Sequence, residues 1–145
     1  MPYEFKIQRR VEFSETDMAG IVHYSNFFKF METAEHAFYR SIGYSVVMQD
    51  TDPPIGWPRV HAECDFFAPL RFEDLVEVHL LVKEKKNKAI TYVFRFYKVN
   101  GGREEVARGI LTAVCVTHTG EGMKAVPIPK DLADKIQIAP ADMLE

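Results

Sequence analysis

The sequence has too few cysteines for a disulfide-stabilised fold, with only Cys64 and Cys115 among 145 residues. The two form no close-spaced metal or redox motif, and both fall within apolar strand patterns, so we expect two buried free thiols in a reducing compartment. The N-terminus lacks the apolar segment of a signal peptide, and no apolar run reaches membrane-spanning length. These absences predict a cytoplasmic protein.

An excess of charge of one sign is also missing. The 18 basic and 21 acidic side chains give a net charge of −3, and both signs are scattered along the chain. Such a surface gives no reason to expect nucleic-acid binding. The sequence also lacks a glycine-rich phosphate loop, the spacing of a Ser-His-Asp triad and the signature of a cysteine nucleophile. It does contain 47% apolar residues, enough for one hydrophobic core.

The hydrophobic pattern changes period near the N-terminus, from a strand to one long helix. Residues 3–13 alternate between apolar and polar side chains, which predicts a half-buried strand. From residue 24 to residue 42, apolar residues recur every three or four positions, which predicts a helix that ends at Gly43. Residues 44–59 contain three prolines and Trp57, and they predict a long loop.

Four strand-like runs follow the loop, at residues 60–68, 75–83, 90–99 and 107–117. In the first run, the side chains expected to face the core are Val60, Ala62, Cys64 and Phe66. Hairpin signals separate the later runs, and the last run is apolar on both sides, as an interior strand would be. The order predicts an α+β fold with a five-stranded antiparallel sheet.

This arrangement also predicts a partner and a single domain. One helix covers only one face of a sheet, so we expect the other face, or a sheet edge, to contact a second subunit. We assign residues 1–130 to a single domain. Residues 131–145 form a C-terminal tail with a short helix followed by a frayed end.

The stretch from Arg10 to Phe27 combines an acidic turn with the start of the helix. Asp17 supplies a carboxylate just before the first helical turn, whose backbone N–H groups have no partner inside the helix. A carboxylate facing such donors can attack a carbonyl, or activate water to do so, while the donors hold the oxyanion. Taken alone, however, a turn aspartate is usually only a turn or cap residue.

Ten positions of this stretch form an ordered pattern, filled by Arg10, Val11, Thr16, Asp17, Gly20, Ile21, Val22, His23, Tyr24 and Phe27. The pattern resembles the active-site signature of the 4-hydroxybenzoyl-CoA thioesterase family, within the hotdog-fold thioesterases. The strand order and the Phe66-Phe-Ala-Pro segment are similar too, so the resemblance covers residues 3–130. It implies a hotdog fold, with a curved sheet wrapped around the helix, in a homodimer or homotetramer.

The resemblance also implies the chemistry: cofactor-free hydrolysis of an acyl-CoA thioester to a free acid and CoA. Asp17 is the base or the nucleophile, so it either deprotonates water or attacks directly to form an anhydride. The backbone N–H of Tyr24 polarises the thioester carbonyl, and Gly20 lets the chain pass close to the substrate. His23 is either an auxiliary polar group or a ring packed in the pocket wall, because some relatives carry a histidine one position later.

Further residues are candidates for substrate contacts. Glu32 occupies a mid-helix position that helps to shape the acyl pocket across the dimer in this family. The candidates for an aromatic or branched acyl site are Phe27, Phe28, Trp57 and Phe67. The candidates for the CoA phosphates are Arg59, Arg71, Lys85, Lys86, Lys88 and Lys130. Glu32 and His36 are four residues apart on the helix, but two ligands without a third predict no metal site.

Two other functions remain open for this sequence. One is a dehydratase or hydratase acting on acyl thioesters, and the other is a non-catalytic acyl-CoA-binding or assembly subunit. The intact signature around Asp17 favours the thioesterase over both. The acyl group and its carrier, either CoA or acyl carrier protein, stay open at this stage.

Overall fold

A computed structural model describes residues 2–51 and 53–145 as two sheets and two helices. The main sheet contains β1 (Glu4–Arg10), β3 (Arg59–Phe66), β4 (Leu75–Lys85), β5 (Ala89–Lys98) and β6 (Glu104–Val114). Its strands are antiparallel, in the order β1-β4-β5-β6-β3. The small sheet contains β2 (Ile55–Gly56), β7 (Val116–Thr119) and β8 (Gly122–Ala125). The helices are α1 (Ser25–Ser41) and α2 (Lys130–Lys135), and within the described residues no helix is both long and apolar enough to cross a membrane.

The core lies between α1 and the inner face of the main sheet, as predicted. The period of two on the central strands buries Val76, Val78, Leu80 and Val82 on β4 and Ile90, Tyr92, Phe94 and Phe96 on β5. The helical period of α1 buries Phe27, Phe30, Met31, Ala34 and Phe38 against them. Gly109 on β6 allows α1 to approach closely, because a Cβ atom there would lie 2.0 Å from Met31 Cε.

Two predicted strand ends are wrong because local and long-range hydrogen bonds end the strands earlier. β1 stops at Arg10, and a 3-10 turn follows at Phe13–Glu15, in which the Glu15 carboxylate accepts the backbone N–H of Glu12 at 2.8 Å. The last run divides at Cys115, whose N–H bonds to Lys88 O at 2.7 Å. The chain beyond it joins the small sheet as β7.

The strand β3 forms an edge of the main sheet, with no neighbouring strand on its outer side in the described part of the chain. The predicted inward face is confirmed for Ala62, Cys64 and Phe66, which lie opposite core-side positions of β6. The open edge nevertheless leaves the apolar side chains of β3 incompletely covered in a single chain. Val60 and Phe66 are 63% and 47% exposed, and Cys64 is only half-buried. β3 is therefore an uncovered edge of eight residues with apolar side chains.

The C-terminal tail packs on the main sheet instead of ending in a frayed segment. After α2, the N–H of Ala139 bonds to Val82 O at 2.8 Å. Ala139 is buried against Leu81 and Val93, which point away from α1. The tail thus covers part of the sheet face that α1 leaves open, and it removes part of the exposed apolar surface for which we expected a partner.

Candidate active site

A tight turn holds Asp17 before the start of α1. Asp17 N–H bonds to Ile21 O, and Gly20 N–H bonds to Asp17 O, both at 2.9 Å. Gly20 has φ +81°, a left-handed conformation that favours glycine. The side-chain oxygen Oδ1 of Asp17 accepts Ala19 N–H at 2.9 Å, while Oδ2 has no bonding partner among the described residues. One carboxylate oxygen therefore stabilises the turn, and the other is available for chemistry.

The backbone amides at the start of α1 are almost all occupied. Asn26 N–H bonds to His23 O at 2.9 Å, and Phe27 N–H bonds to Tyr24 O at 3.2 Å. Ser25 N–H bonds to the imidazole Nδ1 of His23 at 3.3 Å. Within residues 2–51 and 53–145, the N–H of Tyr24 has no acceptor. Tyr24 therefore offers one free donor, located where the helix dipole favours negative charge.

Asp17 and Tyr24 line the same cleft, which has a volume of about 540 Å³. The remaining lining is mainly apolar and includes Phe27, Phe66 and Phe67. The Phe27 ring packs edge-on against Phe66 at 5.1 Å between centroids. A cleft of this size with few polar groups is typical of a small-molecule site. It places a carboxylate, a free amide and an apolar wall around one space.

Arg71 is the charged residue that lines this cleft together with Asp17. Its Nη1 lies 3.5 Å from Gly20 O, and its own N–H bonds to Asp74 Oδ2 at 2.7 Å. Of the six cations considered for CoA phosphates, four others are engaged elsewhere, two of them in partly buried hydrogen bonds. Arg59 pairs with Glu35, and Lys85 donates to two backbone carbonyl oxygens near α2.

The cation candidates on the surface lie outside the lining of the cleft. Lys86 pairs with Glu84 at 3.0 Å, and Lys130 pairs with Asp134 at 2.7 Å. Lys88 lies in the β4–β5 hairpin. Arg71 is therefore the candidate with the most direct access to a molecule bound beside Asp17.

Three residues predicted to contact the substrate do not line the cleft within one chain. Glu32 is exposed on α1, 3.9 Å from the guanidinium of Arg59. Trp57 is buried and packs edge-on against Tyr39, with 5.9 Å between ring centroids. Phe28 is partly buried against the core. By contrast, Phe27 and Phe67 line the cleft beside Asp17 and Tyr24.

The sequence reasoning missed a buried ion pair behind α1. Both carboxylate oxygens of Glu35 accept hydrogen bonds from Arg59, and the Glu35 side chain is 1% exposed. Burial raises the pKa of Glu35, although the charge and hydrogen bonds of Arg59 act in the opposite direction. The helical pattern contained the signal, because Glu35 follows Met31 at the i+4 spacing of the apolar stripe.

The geometry gives no support for a metal at Glu32 and His36. In the described part of the chain, no three His, Cys, Asp or Glu side chains are close enough together to hold a metal ion. The ring of His36 instead lies 3.9 Å from Glu35. The polar groups near the cleft are suited to acyl transfer by a carboxylate and an amide.

Comparisons with known proteins agree with this architecture. The model of the thioesterase-like superfamily matches residues 11–136. A protein of Aquifex aeolicus named putative esterase is 33% identical over 138 residues, which cover 94% of this chain and 99% of that protein. The 4-hydroxybenzoyl-CoA thioesterase of Pseudomonas sp. (strain CBS-3) is 23% identical, covering 90% of this chain and 96% of that protein.

A solved structure of a gentisyl-coenzyme A thioesterase has a TM-score of 0.76 and 33% identity, covering 88% of this chain and 98% of that one. The single long helix against five antiparallel strands is thus the hotdog fold, as the sequence predicted. Since the matched region contains the turn, the cleft and four of the five strands of the main sheet, the chain belongs to the thioesterase-like superfamily and is a thioester hydrolase.

Proposed function

We propose that the chain hydrolyses acyl-CoA thioesters in the cleft between Asp17 and Tyr24. The observation that carries this proposal is that Asp17 and Tyr24 line the same cleft, while Oδ2 of Asp17 and the N–H of Tyr24 have no bonding partner among the described residues. The amide polarises the thioester carbonyl, and the carboxylate supplies the nucleophile or the base. Relatives named as CoA thioesterases or hydrolases support the thioester as the substrate.

Either route from Asp17 balances without a cofactor. In the first, Asp17 attacks the carbonyl carbon, the C–S bond breaks, CoA leaves as a thiolate that takes a proton, and water hydrolyses the anhydride. In the second, Asp17 takes a proton from water, the resulting hydroxide attacks the carbonyl carbon, the C–S bond breaks, and the CoA thiolate takes the proton from Asp17. The oxyanion forms beside Tyr24 in both, and loss of such a donor typically lowers the rate by ~10²–10³.

The test measures release of free thiol from acyl-CoA by the wild type and by Asp17→Asn. We expect hydrolysis to fall by at least about 10²-fold in Asp17→Asn while substrate binding is retained. Asp131→Asn, the same chemical change on exposed α2, is the matched control and keeps full activity. Unchanged thiol release in Asp17→Asn would remove Asp17 from the reaction.

A single turnover in ¹⁸O-labelled water separates the two routes. Label in the Asp17 carboxylate requires the anhydride, because water then attacks a carbonyl that includes the Asp17 oxygen. Label found only in the released acid excludes attack of water on the Asp17 carbon of an anhydride, and it is the result expected when Asp17 activates water.

We infer that the acyl group is aromatic and that CoA carries it. The rings of Phe27, Phe66 and Phe67 suit a planar aryl group, and relatives act, by their names, on gentisyl-CoA and 4-hydroxybenzoyl-CoA. A panel of aryl, branched and short-chain acyl-CoA substrates, with one acyl carrier protein thioester, tests both points. The highest kcat/KM for a straight-chain or carrier-protein substrate would contradict them.

A homodimer formed through β3 would complete this site. Antiparallel pairing of two β3 strands about Ala62 sets His61 opposite the partner's Glu63, and Val60 opposite the partner's Cys64. Centring the pair on Glu63 would instead oppose two like charges. Such a dimer covers the exposed edge and brings Glu32 and Trp57, which are outside the cleft in one chain, close to a second copy.

Cysteine cross-linking in a Cys64→Ser background tests the pairing. Residues directly opposite in an antiparallel pair have Cα atoms ~4.5–5.5 Å apart, within disulfide range. We expect Ala62→Cys to cross-link two chains, and Glu63→Cys and His61→Cys to cross-link far less. A monomeric mass in light scattering would refute the dimer, and a mass of four chains would indicate a homotetramer.

The two cysteines support a cytoplasmic location, which we also propose. Both are free, and burial raises the pKa of the Cys64 thiol to about 12 and of the Cys115 thiol to about 11. Burial thus makes both thiols unreactive, and it is their unpaired state that is usual in a reducing compartment. Fractionation of the source cells with an antibody to the protein tests the location, and recovery outside the cytoplasm would overturn it.

A further inference from the structure

The ring of His23 connects the residues on either side of it at the start of α1. Its Nδ1 lies 2.8 Å from Ser25 Oγ and 3.3 Å from Ser25 N. Because a backbone N–H can only donate, Nδ1 is the acceptor, and the imidazole carries its proton on Nε2. The same ring stacks on Tyr24, with centroids 4.6 Å apart and planes inclined by 28°.

The backbone of His23 is fixed independently of its ring. Its N–H bonds to Glu15 O at 2.9 Å, and the side chain of Asn26 donates to the same carbonyl oxygen at 2.8 Å. The residue that caps α1, Tyr24, has no side-chain capping bond. The imidazole therefore supplies the side-chain acceptor that an N-cap serine or aspartate usually provides.

We propose that His23 is a positioning residue that makes the Tyr24 amide the single donor for the thioester oxygen, an inference that rests on the function proposed above. By accepting Ser25 N–H, the ring withdraws the neighbouring donor that would otherwise compete for the oxygen or bind water. By stacking on Tyr24, it restricts the motion of a residue that lines the cleft and has a free N–H. His23 thus acts through the Tyr24 amide and takes no part in proton transfer.

Two substitutions separate this role from general acid–base chemistry. His23→Asn retains a carbonyl oxygen that can cap Ser25 N–H, whereas His23→Leu has no acceptor. We expect His23→Leu to lower kcat by ~10–100-fold, less than the ~10²–10³ of a lost oxyanion donor, with KM changed less than about twofold. His23→Asn should recover most of kcat. His118→Leu, the same change at an exposed position of β7, is the matched control.

The kinetic outcomes decide the proposal. Equal loss in the Asn and Leu variants would assign the ring to proton transfer or packing, and it would overturn the capping role. Unchanged kcat in His23→Leu, or a rise in KM alone, would overturn it as well. Circular dichroism confirms folding, since loss of a cap costs about 1 kcal/mol and leaves the fold intact.

Amide hydrogen exchange tests the cap without any substrate. Failure of the proposed function can therefore be distinguished from failure of the capping role of His23. We expect the Ser25 amide to exchange slowly in the wild type and in His23→Asn, and at least about tenfold faster in His23→Leu. If wild type hydrolyses no acyl-CoA, the proposed function fails while the exchange result still reports the cap. Fast exchange of Ser25 in the wild type would show that the imidazole does not hold this amide.

Discussion

Replacement of Arg59 by methionine tests how strongly the buried Glu35 carboxylate depends on its partner. Glu35 is 1% exposed, and Arg59 donates to both of its oxygens. Burial raises the pKa of Glu35 above its ordinary value even with the arginine present. A group whose folded-state pKa is raised contributes stability below its unfolded pKa and loses that contribution as the pH rises through the folded pKa.

The expected cost follows from this burial. Removal of one partner from a buried ion pair typically destabilises a protein by ~3–5 kcal/mol, because it leaves an uncompensated charge. In Arg59→Met, the pKa of Glu35 rises further, since the opposing effect of the guanidinium is gone. We therefore expect a loss of ~3–5 kcal/mol at pH 7 and a smaller loss in acid. Each pH unit between the folded and unfolded pKa values recovers up to about 1.4 kcal/mol.

Urea unfolding at pH 5 and pH 7 measures both effects by linear extrapolation. All variants are compared at one protomer concentration, because dimer formation contributes to apparent stability. The double variant Glu35→Leu/Arg59→Met should recover most of the loss, since an apolar pair of similar volume is often neutral or stabilising.

A surface arginine provides the matched control for this experiment. Arg108→Met breaks a partly exposed pair with Glu105 and should cost at most about 1 kcal/mol. If Arg59→Met costs no more than Arg108→Met at pH 7, or if its cost grows in acid, the reasoning from burial is refuted.

Two other perturbations test the packing and the charges of the sheet. Gly109→Ala should cost ~1–3 kcal/mol in urea unfolding, because its Cβ would collide with Met31, whereas Gly120→Ala, with nothing within 4 Å, should stay within about 0.5 kcal/mol. Burial alone would raise the pKa of Glu77, but the hydrogen bond and charge of Arg103 hold it below its ordinary value. The stability that Glu77 contributes through this pair is present above its unfolded pKa and is lost as the pH falls through its folded pKa. Arg103→Ala should therefore make the free energy of unfolding depend less steeply on pH in acid. An unchanged acid dependence would contradict the assignment.

The regular elements could be predicted because burial repeats along them. α1, β4 and β5 each present one fully buried face, so their periods of 3.6 and 2 are visible in the sequence. The ends of β1 and β6 could not be predicted in the same way. They depend on the bonds of Glu12 with Glu15 and of Cys115 with Lys88, and the second of these joins residues 27 positions apart.

The position of the tail depends on contacts that no local pattern specifies. Residues 131–145 contain no run of more than two apolar residues, which predicts fraying of a C-terminal segment. The bond from Ala139 to Val82 and the burial of Ala139 against Leu81 require the outer face of a sheet built from earlier residues. Because these residues come into contact only in the folded chain, the local sequence pattern of the tail could not predict its position.

The residues around Asp17 could be predicted from the sequence, whereas the bonding of the amides and the positions of Glu32 and Trp57 could not. The ordered pattern around Asp17 identified the turn and the helix start, and the structure brings Asp17, Tyr24 and Phe27 to one cleft. The pattern could not reveal which amides are occupied, because that depends on the rotamer of His23. Glu32 and Trp57 remain a prediction for a second copy, since a single chain leaves both outside the cleft.

At the turn before α1, some polar groups are hydrogen-bonded and others are free, which explains how a surface loop can be rigid and still be reactive. Oδ1 of Asp17 is bonded to Ala19 and the Ser25 amide to His23, so both sides of the cleft are fixed by groups next to the reacting ones. In the proposed reaction, Oδ2 of Asp17 and the N–H of Tyr24 need no rearrangement before the thioester enters. Preorganised groups of this kind lower the barrier more than mobile ones, because the cost of orienting them is met during folding.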